Sequence, residues 1–311
     1  MSHTEISFSK EVKEELLKNI PMARHCRIAE IAVIVSCAGK VVNDTLVVRS
    51  DNERITQKYF TLLKKTFNII ADAFEEKGFF VVSVEKKEDV LTILQAVNIL
   101  GSDSSYIYHK GIIASHIIKS GCCKRAFLKN AFVFFGTINS PSKSSHLEFV
   151  CDNEEYAKQI VKELAYFEIE AKIGLRKNKF HVVYLKDARQ IGDFLRLIEA
   201  NVATMEFENS LILREIANKT NRIVNCEVAN SAKQINAAYK QLDDINYLNE
   251  CIGLSNLPET LRSVAEARLE NPEVGLKELG ELMKPPLGKS GVNHRLRKIS
   301  EMAQQHREKN A

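Results

Sequence analysis

Long apolar runs are absent from this sequence of 311 residues. None of its apolar stretches approaches the roughly 18 consecutive residues that a transmembrane helix requires. The first residues are polar and charged, and they lack the apolar core of a secretory signal. We therefore expect a cytoplasmic protein with reduced thiols and without a membrane partner.

Motifs for metals and nucleotides are also missing. The seven cysteines include no C-x-x-C pair, so we expect no metal site and interpret all seven as buried thiols. Neither the G-x-x-x-x-G-K nor the G-x-G-x-x-G pattern occurs, so a nucleotide-driven switch has no support. We expect no cofactor and no small-molecule substrate.

The overall charge is nearly balanced, because 44 Lys and Arg face 40 Asp and Glu, for a formal net charge of +4. This excess of positive charge is too small for a protein that binds nucleic acid over its whole surface. Any contact with nucleic acid should therefore be confined to one region. The length is sufficient for two domains.

The segment 276–299 has the pattern of two short helices joined by a tight turn. In the first helix, Gly275 stands at the capping position and Glu278 three residues later, which is half of a capping box. Apolar residues at helical spacing predict its buried face, namely Leu276, Leu279, Leu282 and Met283.

The second helix follows after a break in the backbone. Pro285 and Pro286 cannot continue the first helix, and Gly288 lets the chain turn. Ser290 is a good N-cap for the second helix. Its predicted inward stripe is Val292, Leu296, Ile299 and Ala303. This layout is typical of a helix-turn-helix, which places its second helix in the DNA major groove.

Charge favours DNA as the partner of this segment. From 284 to the end, two acids stand against seven basic residues: Lys284, Lys289, Arg295, Arg297, Lys298, Arg307 and Lys309. The stretch just before it is acidic, so only one side suits phosphate. The alternative is an ordinary helical hairpin whose charges are merely solvated.

Helix geometry divides the predicted DNA contacts into two kinds. The face nearest the N-terminus of the second helix, where bases are read, carries Ser290, Asn293, His294 and Arg297. Arg297 is suited to guanine and Asn293 to adenine, whereas for His294 a solvated side chain is an equally good interpretation. The predicted phosphate contacts are Lys284, Lys289, Arg295 and Lys298.

The segment from about 24 to 200 repeats itself once. Residues 25–41 align with 122–138, and Gly39 matches Gly136. Farther along, 51–53 match 152–154 and 79–84 match 180–185. Each copy predicts helix, two strands, helix, two strands, helix, although the strands are less clear in the first copy. We expect one pseudo-symmetric α+β domain of two αββαββα units, with their first helices packed together.

This repeat resembles the LAGLIDADG homing-endonuclease fold, whose nine-residue motif falls on 31–39 and 128–136. In the nucleases the residue before each final glycine is a carboxylate, and the pair holds divalent metal. Here those positions are Ala38 and Phe135, which offer no oxygen ligand to a hard cation. The resemblance therefore implies a scaffold without a nuclease site. Lys129 and Asn130 give the second motif helix a polar edge, so we expect that half to be less regular.

The repeat and the helix-turn-helix together resemble the WhiA family, bacterial regulators linked to sporulation and cell division. The resemblance covers nearly the whole chain and is most specific at PPLGKSGVNHRLRKI, residues 285–299. It implies a degenerate LAGLIDADG-like domain at 1–200, a helical connector at 201–224, and an all-α DNA-binding domain at 225–311 with the helix-turn-helix at 275–305.

Two further groups of polar residues have two interpretations each. Asn225, Glu227, Asn230 and Gln241 either cap helices, which we favour, or touch phosphate. The repeat domain has basic residues in its hairpins and loops, Lys143, Arg176, Lys177 and Lys179. These either add a second DNA footprint or are solvated on a protein-docking surface.

The sequence thus predicts a non-catalytic protein that binds double-stranded DNA and acts as a transcriptional regulator of cell division and chromosome segregation at the nucleoid. The alternative is a protein-docking scaffold of the division machinery, in which DNA contact is incidental and other regulatory or division proteins are the partners. A surviving nuclease is a third class, which the missing carboxylates disfavour.

Overall fold

The structure is a computed structural model that describes residues 7–99, 112–142, 144–177 and 179–309. The chain forms two compact units, Met1–Glu215 and Ile216–Ala311. In the described part of the chain, no helix is both long and apolar enough to cross a membrane.

The first unit begins with a helix that the sequence analysis did not identify, α1 (Phe8–Lys18), with Phe8, Val12 and Leu16 buried on one face. The first copy of the repeat follows it. This copy consists of α2 (Arg24–Ala38), β1 (Gly39–Val42), β2 (Thr45–Ser50), α3 (Glu53–Phe67), β3 (Asp72–Glu76), β4 (Phe79–Val84) and α4 (Lys87–Ala96).

The second copy has the same order of elements. It consists of α5 (Gly121–Phe135), β5 (Gly136–Ile138), β6 (Leu147–Cys151), α6 (Glu154–Ala165), β7 (Lys172–Arg176), β8 (Phe180–Leu185) and α7 (Ala188–Leu197). The predicted αββαββα repeat is thus confirmed in both copies, including the strands of the first.

Each copy builds one four-stranded antiparallel sheet, with strand orders β1-β2-β4-β3 and β5-β6-β8-β7. Residues alternate between the two faces of each strand, so Leu46 and Val48 are buried in the first sheet and Leu147 and Phe149 in the second. The register pairs Val48 with Val82 in the first sheet. One apolar core lies under both sheets.

The first helices of the two copies, α2 and α5, pack against each other as predicted. Each ends at the glycine that closes its motif, a position at which a side chain would collide with the last turn. A Cβ at Gly136 would lie 2.2 Å from Cδ2 of Phe132, and one at Gly39 would lie 2.5 Å from the carbonyl oxygen of Val35.

α5 is regular throughout, so the expected irregularity near Lys129 was wrong. Lys129 is buried and pairs with Glu199 at 3.5 Å.

The second helix of each copy starts at an asparagine cap, at equivalent positions. The side-chain oxygen of Asn52 accepts a hydrogen bond from the N–H of Arg54, and that of Asn153 accepts from Tyr156. An Asn cap satisfies a backbone donor that has no partner within the helix.

A single long helix, α8 (Asn201–Cys251), has residues in both units. At its start, the carboxylate of Glu15 accepts hydrogen bonds from the N–H groups of Val202 and Ala203, at 2.9 and 3.1 Å. The second unit continues with a 3₁₀ turn (Leu254–Asn256), α9 (Glu259–Glu270), α10 (Leu276–Leu282) and α11 (Lys289–Lys309). Its core includes Ile245, Val264, Leu279 and Leu296.

Two expectations about side chains are corrected by the fold. Asn225, Glu227, Asn230 and Gln241 lie inside the uninterrupted α8, so the interpretation that they cap helices was wrong. The interpretation of all seven cysteines as buried thiols was also wrong, because Cys122, Cys226 and Cys251 are exposed and Cys37 is half-buried.

Candidate nucleic-acid interface

The first helix of the predicted helix-turn-helix is α10, which begins after Gly275 as predicted. The backbone N–H of Gly275 donates to Oε2 of Glu278 at 3.3 Å, which is the acidic half of a capping box. Leu279 and Met283 are buried and Leu276 is half-buried, but Leu282 is 55% exposed. The prediction for Leu282 was wrong because the helix ends there and Met283 is already extended.

The turn closes on Gly280, a residue that the sequence analysis passed over. The N–H of Leu287 donates to the carbonyl oxygen of Gly280 at 2.9 Å. A Cβ at Gly280 would lie only 2.0 Å from the carbonyl oxygen of Leu287, so no larger residue fits without a backbone shift. A glycine inside a helical pattern was the signal for this close approach.

The second helix, α11, begins two residues earlier than the predicted N-cap Ser290 implies, and it ends beyond the predicted limit of 305. Its first backbone bond runs from the N–H of Val292 to the carbonyl oxygen of Gly288 at 3.1 Å. Gly288 therefore holds the N-cap position, and Ser290 lies within the first turn rather than before it. The predicted inward stripe is confirmed, because Val292, Leu296, Ile299 and Ala303 are all buried.

The structure brings most of the predicted DNA-contacting side chains onto the exposed surface of α11 and the turn before it. The exposed residues are Lys284, Lys289, Ser290, Asn293, His294, Arg297 and Lys298. The eighth, Arg295, is half-buried, and its Nη1 donates to the carbonyl oxygen of Thr260 on α9 at 3.3 Å. Arg295 therefore has a structural contact in addition to its predicted role.

Arg297 is the most exposed of the arginines on α11 that form ion pairs. Its Nε lies 3.1 Å from Oε1 of Glu301, one turn along the helix, with the two side chains 78% and 56% exposed. A pair so open to water is weak, on the order of 0.3–0.5 kcal/mol, so Arg297 can exchange Glu301 for another partner at little cost.

At the C-terminal end of α11, Arg307 is held against α8 and cannot exchange its partners as easily as Arg297. Nη1 and Nη2 of Arg307 lie 2.7 and 2.8 Å from the carboxylates of Asp244 and Asp243. The Arg307 guanidinium also lies over the ring of Tyr247, 4.5 Å from its centre. The basic surface available to a ligand is therefore the N-terminal half of α11.

A buried arginine supports the chain just before α10. Arg268 of α9 is only 2% exposed, and its Nη1 donates to the carbonyl oxygens of Asn271 and Val274 at 3.4 and 2.8 Å. Burial lowers the pKa of this guanidinium. Sequence reasoning missed this role, because an arginine in an amphipathic helix looks solvated.

The nuclease positions of the repeat do not fit a divalent metal. Ala38 has no ligand atom, and the ring of Phe135 packs edge-on against Tyr156 with centres 5.1 Å apart. A hard cation at this place would require oxygen ligands that these two residues cannot supply.

The basic residues of the repeat sheets differ in their surroundings, since one is paired with an acid and others are exposed. Nη2 of Arg176 lies 2.5 Å from Oε2 of Glu148, which neutralises it locally. The exposed residues Lys177 and Lys179 flank the turn between β7 and β8, and Lys143 lies outside the described residues. The second DNA footprint remains a prediction.

Comparison with known proteins finds a matching family model for each of the two units of the chain. The family model of the WhiA LAGLIDADG-like domain matches residues 41–112 and 124–217, and that of the WhiA C-terminal HTH domain matches 220–303. Together they cover well over half of the chain.

Individual relatives match along the whole length. A "Probable cell division protein WhiA" from Lachnoclostridium phytofermentans is 43% identical over 96% of this chain and 98% of its own. A protein of the same name from Lachnospira eligens is 41% identical, over 97% and 98%. The crystal structure of full-length DUF199/WhiA from Thermatoga maritima aligns with a TM-score of 0.57 at 26% identity, over 96% of this chain and 99% of that one.

Proposed function

The chain belongs to the WhiA family, and from that membership we propose that it is a non-catalytic protein that binds double-stranded DNA in the cytoplasm, at the nucleoid. Its role is transcriptional regulation in cell division and chromosome segregation. The observation that carries the proposal is the exposed basic N-terminal half of α11, behind which the opposite face of the same helix is buried.

The geometry supports a division between base contacts and phosphate contacts. Asn293 and His294 lie three and four residues after Ser290, and Arg297 lies four and three residues after them, so the four share one exposed face of α11. In a helix-turn-helix this N-terminal face enters the major groove. Lys284, Lys289, Arg295 and Lys298 lie beside it and are suited to phosphate, which positions the protein without reading sequence.

The absence of catalysis is proposed from the two positions that carry acids in the nucleases. With Ala38 and Phe135 there, the LAGLIDADG-like unit retains the fold but lacks a pair of carboxylates for metal-assisted hydrolysis. The full-length protein should therefore leave supercoiled plasmid intact in the presence of Mg²⁺. Nicking by the wild type, lost on mutation of acids in this unit, would contradict the proposal.

The proposed function is tested by mapping bound DNA across the genome of the native bacterium. We expect discrete sites for the wild type and their loss for a variant in which Lys289, Arg297 and Lys298 are all replaced by Gln. If the variant keeps the same sites, α11 is not the DNA-binding element.

One observation favours a second candidate function, that of a protein-docking scaffold. Every residue from 215 to 237 of α8 is exposed, and apolar side chains stand among them. They include Ile216, Val228 and Ile235, which are 58, 63 and 54% exposed. Apolar groups open to water are typical of a surface that a protein partner covers. A wild-type division phenotype in the triple variant of α11 would favour this candidate.

A further inference from the structure

Four potential metal ligands converge at the N-terminal ends of the two central helices of the repeat. His25 and Cys26 lie in the first turn of α2, and Cys122 and Cys123 lie in the first turn of α5. Their ligand atoms all lie within 4.8 Å of one another. The two pairs occupy equivalent positions of the repeat, so the packing of α2 on α5 is what brings them together.

The distances from His25 to the three thiols are close to those of a tetrahedral site. Nδ1 of His25 lies 3.1 Å from Sγ of Cys123, 3.4 Å from Sγ of Cys26 and 3.9 Å from Sγ of Cys122. With Zn–S near 2.3 Å and Zn–N near 2.0–2.1 Å, neighbouring ligands of a tetrahedral zinc ion are roughly 3.5–3.8 Å apart. Small rotations of these side chains would therefore seat the ion.

We propose that His25, Cys26, Cys122 and Cys123 form a Cys₃His site for one zinc ion, which fastens the two copies of the repeat to each other. On binding, the three thiols each lose their proton to solvent and neutral His25 contributes its Nδ1 lone pair. Four S–Zn or N–Zn bonds form, and the ion and its three thiolates carry a net charge of −1. No change of oxidation state is involved.

The surroundings suit both entry of the ion and the charge of the complex. Cys26 and Cys123 are buried, 6% and 3% exposed, whereas His25 and Cys122 are open to solvent. One side of the site is therefore reachable and the other is enclosed. All four residues lie in the first turns of α2 and α5, where the helix dipole favours anionic groups.

The free thiols and a disulfide are the competing states of this cluster. Burial, and then the neighbouring Cys122 thiol, raises the pKa of Cys26 to about 12. Without a bound cation the Cys26 thiol therefore stays protonated at neutral pH. Under oxidising conditions two of them would pair instead, with loss of two protons and two electrons to the oxidant. The test distinguishes all three states.

The first measurement is the metal content of the untagged full-length protein, purified without chelators and analysed by mass spectrometry of the elements. We expect about one zinc per chain. After replacement of zinc by Co²⁺, we expect the strong visible d–d bands and the thiolate-to-cobalt charge-transfer band of a tetrahedral thiolate site. Stoichiometric Cys–Cys linkage in the intact mass, or free thiols with no bound metal, would overturn the proposal.

Variants locate the site on named residues. Cys26→Ser with Cys123→Ser should reduce the zinc content to below about one tenth per chain, since a zinc ion needs its full ligand set. The matched control is Cys226→Ser with Cys251→Ser, two exposed cysteines of α8, which should keep the wild-type content. Equal zinc content in both double variants would refute the assignment.

One variant tests the site where the fold is not at risk. His25→Asn alters an exposed side chain, so the helical circular dichroism should stay unchanged. Zinc affinity, measured by competition with a coloured chelator, should fall at least tenfold. The cobalt spectrum should change because a nitrogen ligand is lost. An unchanged affinity and spectrum would remove His25 from the site and overturn the Cys₃His assignment.

Discussion

Nζ of Lys58 on α3 lies 3.0 Å from Oε2 of Glu30 on α2, and both side chains are completely buried. The same ammonium donates to the carbonyl oxygen of Leu16 at 3.3 Å, which adds α1 to the contact. Desolvation raises the pKa of Glu30 and lowers the pKa of Lys58, and in each case the partner's charge opposes the shift. This pair lies among apolar side chains and therefore depends on both members.

Lys58→Met should destabilise the LAGLIDADG-like unit strongly, because it leaves a carboxylate buried without its partner. Removal of one member of such a pair costs about 3–5 kcal/mol. In a unit of this size that lowers the melting temperature by about 6–20 °C. Glu30→Leu combined with Lys58→Met should lose much less, since neither charge of this pair remains buried and Lys129 still has Glu199 as its partner. If the single variant melts like the wild type, the pair is not buried as described.

Gly280→Ala should destabilise the helix-turn-helix unit by about 1–3 kcal/mol, the usual cost of overpacking. The added methyl group would meet the carbonyl oxygen of Leu287 at 2.0 Å. Gly288→Ser is the matched control, because a Cβ there meets nothing within 4 Å and serine is a good residue for this N-cap position. Thermal unfolding of both variants measures the difference. Equal melting temperatures would show that the turn adjusts to the methyl group.

Arg297→Ala should weaken binding to a specific duplex by about 1–3 kcal/mol more than binding to a random duplex. Lys298→Ala should weaken both equally and should reduce the slope of log K against log salt by about 0.9, as expected for one phosphate contact. Titrations at several salt concentrations separate the two effects. Equal losses on both duplexes for Arg297→Ala would reject its role in reading bases.

Arg176→Ala should lower stability at neutral pH but not in acid. Burial raises the pKa of Glu148, yet hydrogen bonds from Arg176 and His146 outweigh it and hold that pKa below its ordinary value. A carboxyl with a lowered folded pKa stabilises the protein above its unfolded pKa, and this contribution disappears as the pH falls through the folded pKa. Because Arg176 is half exposed, the loss should be only about 0.5–1 kcal/mol.

The check on this prediction is the urea midpoint of wild type and variant across the pH range. The difference should be largest above the ordinary carboxyl pKa and should vanish below the folded one. A difference that is independent of pH would mean that Arg176 acts through packing rather than through the charge of Glu148.

Sequence reasoning succeeded where local pattern decides the structure. The alignment of Gly39 with Gly136 located the ends of the central helices, and the matching segments 51–53 and 152–154 lie where α3 and α6 begin. It failed for Asn225 and Asn230 because residue type was weighed above a local signal: no Pro or Gly interrupts 201–251, which favours one long helix. It also failed where tertiary structure decides. The exposure of Leu282 depends on where α10 stops.

The cysteine cluster shows the same limit and the signal that could have overcome it. A search for C-x-x-C within one segment misses ligands that two helices supply as adjacent pairs. The repeat alignment already placed His25 and Cys26 opposite Cys122 and Cys123, and the first helices were expected to pack together. Those two facts combined would have indicated four ligands at one point.

The central claim is that the exposed N-terminal half of α11 binds DNA, and a fluorescence anisotropy titration of the full-length protein on labelled duplex tests it most directly. The variant replaces Lys289, Arg297 and Lys298 by Gln. The control of equal charge replaces Lys64, Lys65 and Lys162, exposed residues of α3 and α6. The account predicts a loss of at least tenfold in affinity for the α11 variant and wild-type affinity for the control. Equal affinities of the α11 variant and the wild type would contradict it.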